Sequence, residues 1–172
     1  MIVVEVRVNG LVVEQKTQQN VVILREKEGD RILPIWIGPG EAQAIRRLLA
    51  EESFPRPLTH DLLHAVIEGL KAKITRIVIA ELRENTFYAN IVVEREGEVL
   101  TVDARPSDSI AVALRAQAPI FVNDALLVAP PGEEAEPESP DEPREPTDEE
   151  KAEQLRRYLE KMDPEDFGKF RM

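Results

Sequence analysis

The sequence predicts an α+β fold: a mainly antiparallel sheet with three core helices, then a disordered acidic linker and a C-terminal helix. Three observations lead there. Several short stretches are rich in Val and Ile and bounded by turn residues, as strands are. Three segments of the first 128 residues repeat apolar side chains at helical spacing. The chain then changes character, to proline and acid with almost no apolar residue. The expected organisation is a domain over 1–128, a linker over 129–146 and a helix with a short tail over 147–172.

In order, residues 1–9 alternate. Ile2, Val4, Val6 and Val8 face one way, and Val3, Glu5 and Arg7 the other, which reads as a strand with one mainly buried face. Asn9-Gly10 is a turn signal, and pairing resumes at Leu11–Val13. Strands are expected at Val21–Glu26 and Arg31–Ile37, and Pro34 within the latter suggests an edge or a bulge. Gly38-Pro39 opens a helix to about Glu51, since proline in a first turn leaves no N–H unpaired. Ala42, Ile45, Leu48 and Leu49 are its buried stripe, and Glu41 sits near its positive end. Pro55 and Pro57 exclude a continuous helix. A second helix begins near Thr59, expected as its N-cap, and presents Leu63, Val66, Ile67 and Leu70 as its apolar face.

A meander follows: strands at Lys73–Leu82, Thr86–Glu94 and Glu98–Asp103, joined by turns at Glu84-Asn85 and Glu96-Gly97. A third helix starts at Pro106, with Ser107 as a rival cap, and Ile110, Val112, Ala113 and Leu114 make it mostly buried. Pro119–Val122 is a short strand, and Asp124–Val128 a short helix or strand that closes the domain. Residues 147–162 form the last helix. Thr147 and Glu150 make its capping box. Leu155, Tyr158, Leu159 and Met162 form a stripe that either folds back on the domain or binds a protein partner.

Composition bounds the function. Cysteine is absent, which excludes disulfides, thiolate catalysis and Cys-based zinc sites. No stretch approaches the about 18 apolar residues of a membrane span, and the N-terminus lacks a signal-peptide pattern, so a cytoplasmic protein is expected. The net charge of −11 argues against nucleic acid at first sight. Its distribution softens this. Residues 1–128 carry 15 Lys and Arg against 18 Asp and Glu, and residues 129–172 carry 7 against 15.

Three segments resemble the bifunctional nuclease family of bacteria, archaea and plants: LPIWIGPGEAQAI (33–45), RPLTHDLL (56–63) and RPSDSIAVALRAQAPIFV (105–122). PEDF at 164–167 is similar to the ending of some bacterial members. The linker is longer and more acidic than the family pattern, and the single last helix is too short for the excision-repair-like hairpin of some relatives. The resemblance implies an α+β domain, a homo-oligomer, and nuclease activity on DNA and RNA, which is attributed to plant members. It carries no established catalytic residues over.

The residues can supply two kinds of phosphodiester chemistry. Carboxylate-held Mg²⁺ or Mn²⁺ activates water and stabilises the transition state; without metal, His with Lys or Arg does so. His60, His64 and Glu68, at four-residue spacing, lie at about 0°, 40° and 80° on the second helix with Asp61 at about 100°. They are a candidate metal or general-base set, or simply a solvated face. Arg105 and Asp108 flank a helix N-terminus that can either meet phosphate or hold a structural ion pair. Ser107 has no GxSxG context. Glu41 with Arg46, Arg47 and Arg56 is a third group, either dipole-complementing and solvated or contacting phosphates. Trp36 either stacks on a base or packs in a core or subunit interface.

The expected site therefore comprises Glu41, His60, Asp61 and Asp108 as catalytic groups and Arg46, Arg56 and Arg105 as substrate contacts, with its metal ligands unassigned. No P-loop, GxGxxG, zincin or RNA-recognition signature occurs, so no nucleotide or organic cofactor is expected. The alternative is a non-catalytic, oligomeric binding module whose acidic tail recruits a partner or masks a basic patch.

Overall fold

The computed structural model describes residues 1–131 and 147–162; the acidic linker expected above, apart from 129–131, and the PEDF tail lie outside the described residues. The first strand, β1 (Val3–Val13), is continuous rather than broken at Asn9-Gly10. It stays paired with β2 (Asn20–Glu26) on both sides of that dipeptide, and the register steps from Val8–Leu24 to Gly10–Ile23. Asn9 is the extra residue of a β-bulge, and Gly10, at φ +153°, takes a backbone conformation that side chains disfavour. The turn signal was real glycine chemistry spent on a bulge. The loop after β1 is held by Glu14, whose carboxylate accepts from the N–H groups of Lys16 and Thr17, each at 2.8 Å.

β3 (Ile32–Ile37) pairs antiparallel with β2 and lies at the edge of the sheet, where Pro34 is tolerated. Gly38 caps α1 (Pro39–Leu49), which is two residues shorter than expected. Leu49, read as part of its buried stripe, is exposed, because the last turn runs beyond the packed region. α2 (Thr59–Gly69) has Leu58 rather than Thr59 at its cap; the Asp61 carboxylate accepts from the Leu58 N–H at 2.9 Å and closes the turn that a Thr cap would have closed. Then come β4 (Ala72–Arg83), β5 (Thr86–Arg95) and β6 (Glu98–Ala104) as the expected meander. α3 (Pro106–Ala116) begins at Pro106 with Arg105 as its cap. β7 (Ile120–Asn123) and a 3-10 turn (Asp124–Leu126) close the domain, and α4 spans Asp148–Lys161.

The seven strands form one sheet in the order β3-β2-β1-β7-β4-β5-β6. All pairs are antiparallel except β4 with β7, and α3 lies in the chain that links those two. Val22 and Leu24 of β2 join the core beneath α1 and α3, with Ile45, Ile77, Ile79, Ile110 and Val112. Their alternates Val21 and Ile23 point to the other face, where they pack with Ile32, Trp36 and Leu159 of α4. The last helix therefore folds back on its own domain. Trp36 is a core residue of this second cluster, 4% exposed. Thr147 and Glu150 exchange the expected reciprocal bonds, Thr147 N–H to Glu150 at 2.8 Å and Glu150 N–H to Thr147 at 3.3 Å.

α2 departs most from expectation. Its histidine face was left open between a metal or general-base set and a solvated face, and Leu63, Val66, Ile67 and Leu70 were read as its apolar face. Of the apolar face only Ile67 packs on the core; Leu63, Val66 and Leu70 are exposed, as is Leu62, while His60 and His64 are partly covered. The helix meets α3 through polar pairs, which leave only part of its apolar face against the core.

Candidate functional site

Between α1, α2 and the β5–β6 end of the sheet lies an open cavity of about 930 Å³. Its long wall is apolar, with Leu63, Ile67, Ile91, Val93, Leu100 and Val102. Its polar end gathers side chains from three helix starts: Glu41 in the first turn of α1, His60 in that of α2, and Arg105 and Asp108 at the cap and first turn of α3.

These four make one connected network. Arg105 lies 2.8 Å from Glu41 and 2.7 Å from Asp108. The other Asp108 oxygen is 2.9 Å from His60 Nε2. The His60 hydrogen bond holds the Asp108 carboxyl below its ordinary range; burial opposes it and Arg105 reinforces it. An ionised carboxylate only accepts, so His60 Nε2 is the donor, and in the neutral imidazole the acceptor is then Nδ1. Burial acts to lower the Arg105 pKa, but Asp108 and Glu41 outweigh it and raise it. The arrangement offers a carboxylate-oriented imidazole beside a permanently charged guanidinium.

The other expected residues do not join. Asp61 turns to Arg115, whose Nε donates to it; burial would raise the Asp61 pKa, but the bonds from Arg115 and the Leu58 N–H lower it. Arg46 reaches Asn20 Oδ1 at 3.3 Å, and Arg56 is exposed away from the cavity lining. His64 pairs with Glu68 at 3.7 Å and not with His60. Among the described residues no three His, Asp or Glu side chains are grouped to hold a metal ion, and Glu41 and Asp108 are both engaged by Arg105. As arranged, this donor set does not fit a Mg²⁺ or Mn²⁺ site.

Sequence reasoning missed Arg115, whose side chain is only 7% exposed. Besides Asp61 it donates to the carbonyls of Ala111 at 2.7 Å and Ala44 at 3.4 Å, so it ties all three helices behind the site. A signal existed: Arg115 lies seven residues after Asp108, two turns along the same face of α3. Arg47 and Arg95 also line the cavity, Arg47 with its guanidinium 5.0 Å from the Phe54 ring centre.

Comparison with known proteins agrees with the resemblance in the motifs. The model of the family described as "Bifunctional nuclease domain" matches residues 22–131, which include all four networked residues. An uncharacterized protein of Mycobacterium tuberculosis is 44% identical over 163 residues, covering 95% of this chain and 97% of that protein. Bifunctional nuclease 1 of Oryza sativa subsp. japonica is 26% identical over 106 residues, 59% of this chain and 32% of the rice protein. Bifunctional nuclease 2 of the same plant is 23% identical over 121 residues, 68% and 37% of the two chains. This chain thus spans about a third of the length of either rice protein. It belongs to the bifunctional nuclease family.

Proposed function

From membership in that family, we propose that the chain hydrolyses phosphodiester bonds of DNA or RNA at the polar end of the cavity. The observation that carries the reading is the Glu41–Arg105–Asp108–His60 network, which sets a proton acceptor beside a fixed cation. His60 Nδ1 takes a proton from water as the water oxygen bonds to phosphorus. The bond from phosphorus to the leaving oxygen breaks, and the imidazolium returns the proton to that oxygen. Asp108 holds the imidazole tautomer and stabilises the imidazolium. Arg105 exchanges a carboxylate partner for a phosphate oxygen and offsets charge gained in the transition state. Arg47 and Arg95 lie on the cavity lining, where they would meet neighbouring phosphates.

No step is assigned to Mg²⁺ or Mn²⁺; an assay decides whether the sequence-level expectation of a divalent cation applies. Labelled single-stranded DNA and RNA are incubated with wild type and Arg105→Ala, purified identically, in Mg²⁺, Mn²⁺ or EDTA. Cleavage that survives EDTA and is lost in Arg105→Ala supports the reading. Cleavage abolished by EDTA transfers the chemistry to a cation. Equal cleavage by both proteins overturns it.

One observation favours a second reading, a non-catalytic binding module: most of the cavity wall is apolar. Saturable binding of nucleic acid without turnover would support it. α4 packs on the opposite sheet face, so it does not itself cover the cavity.

A further inference from the structure

The two edges of the sheet are treated differently. β3 carries Pro34 and is bridged by Val128, whose N–H and C=O exchange bonds with Ile32 at 2.9 and 2.8 Å. That edge is closed to further strands. β6 has neither device. Glu98 to Asp103 are all exposed, no proline or lysine interrupts the strand, and its outer backbone edge pairs with no other strand among the described residues. Val99 is 67% exposed, and Leu100 and Val102 about half. Across the cavity, α2 exposes Leu63 and Leu70, which line the same opening as Leu100 and Val102. An unprotected edge strand and an adjoining apolar patch mark an interaction surface.

The sequence of β6 indicates what covers it. Glu98-Val-Leu-Thr-Val-Asp-Ala104 can pair with a second copy of itself about its midpoint, Thr101. Antiparallel pairing of two copies across a two-fold axis at Thr101 sets Leu100 against Val102, Val99 against Asp103 and Glu98 against Ala104. No charge meets a like charge, and the apolar pair falls on the face that lines the cavity. We propose that β6 pairs with β6 of a second copy, joining two sheets into one of fourteen strands, and that the second copy closes the open side of each cavity. This goes beyond the proposed chemistry: the site is incomplete in a single chain, its apolar wall continued by Leu100 and Val102 of the other copy.

The chain has no cysteine, so single-cysteine variants report the register cleanly. In the full-length protein, Thr101→Cys places two thiols on the axis, where paired-strand Cα atoms stand about 4.5–5.5 Å apart, within disulfide range. Glu98→Cys places them about six residues, roughly 20 Å, apart. Under mild oxidation, Thr101→Cys is expected to give a covalent dimer and Glu98→Cys to remain mostly uncrosslinked. Light scattering of the wild type is expected to read twice the 19.4 kDa of one chain, and Leu100→Lys/Val102→Lys to halve that mass. A monomeric wild type, or equal crosslinking by both cysteine variants, would overturn the proposal. None of these readouts involves cleavage, so failure here and failure of the nuclease reading are distinguishable.

Discussion

Leu159 is the only fully buried residue of α4, 2% exposed, seated against Val21, Ile23, Ile32 and Trp36. Its stripe neighbours Leu155, Tyr158 and Met162 are only partly buried, so Leu159 dominates the docking. Leu→Ala in a core costs about 2–5 kcal/mol. The lower part of that range applies, about 2–3 kcal/mol, because α4 can lift away instead of holding an empty cavity. At about 1.4 kcal/mol per tenfold, that shifts the docked–undocked equilibrium by about 30- to 150-fold. Trp36, the chain's one tryptophan, reports it directly. Leu159→Ala should redden Trp36 emission and raise its quenching by acrylamide. The principal core beneath α1 and α3, which contains neither residue, should keep its melting temperature. Leu49→Ala, at an exposed site, is the control. Unchanged quenching in Leu159→Ala would refute the view that this side chain holds α4 over Trp36.

Two further outcomes follow from the helix starts. Asp108 is held below its ordinary pKa by the His60 bond and by Arg105, against burial. It therefore adds stability that is complete above the unfolded value of about 3.9 and is lost as pH falls through the lower folded value. Asp108→Asn should lower the urea midpoint at neutral pH and flatten its decline below about pH 4; an unaltered acid limb would contradict the assignment. Arg115→Ala leaves Asp61 without its cation. Breaking a buried pair costs about 3–5 kcal/mol, reduced here to about 2–3 because Asp61 is partly solvated. Arg115→Lys should recover less than half, since an ammonium cannot reproduce the fork to Asp61 and two carbonyls. Denaturant unfolding measures both, and a loss under about 0.5 kcal/mol would show the pair to be screened.

The strands, three core helices and their order were legible because Val/Ile runs and helical stripes encode them locally. Pro34 foretold an edge, and Pro106 the start of α3. Asn9-Gly10 misled because a glycine that enters a special backbone conformation serves a bulge as readily as a turn, and pairing with β2 decides which. α2 misled more instructively. Periodicity locates an apolar face but not what lies opposite, and His60–Asp108 and Asp61–Arg115 turn the helix by contacts 48 and 54 residues away in sequence. For the same reason only part of the grouping in the candidate site was legible. Glu41, His60, Arg105 and Asp108 stand at helix starts whose motifs are local, whereas Asp61, Arg46 and Arg56 share those motifs but point elsewhere.

The most direct measurement of the proposed chemistry is the single-turnover cleavage rate of labelled single-stranded RNA and DNA by wild type, His60→Ala, Asp108→Asn and the double variant. If His60 and Asp108 act as one unit, each single change should cost about 10²–10⁴-fold and the double variant no more than the worse single. Equal rates from all four identically purified proteins would contradict the account.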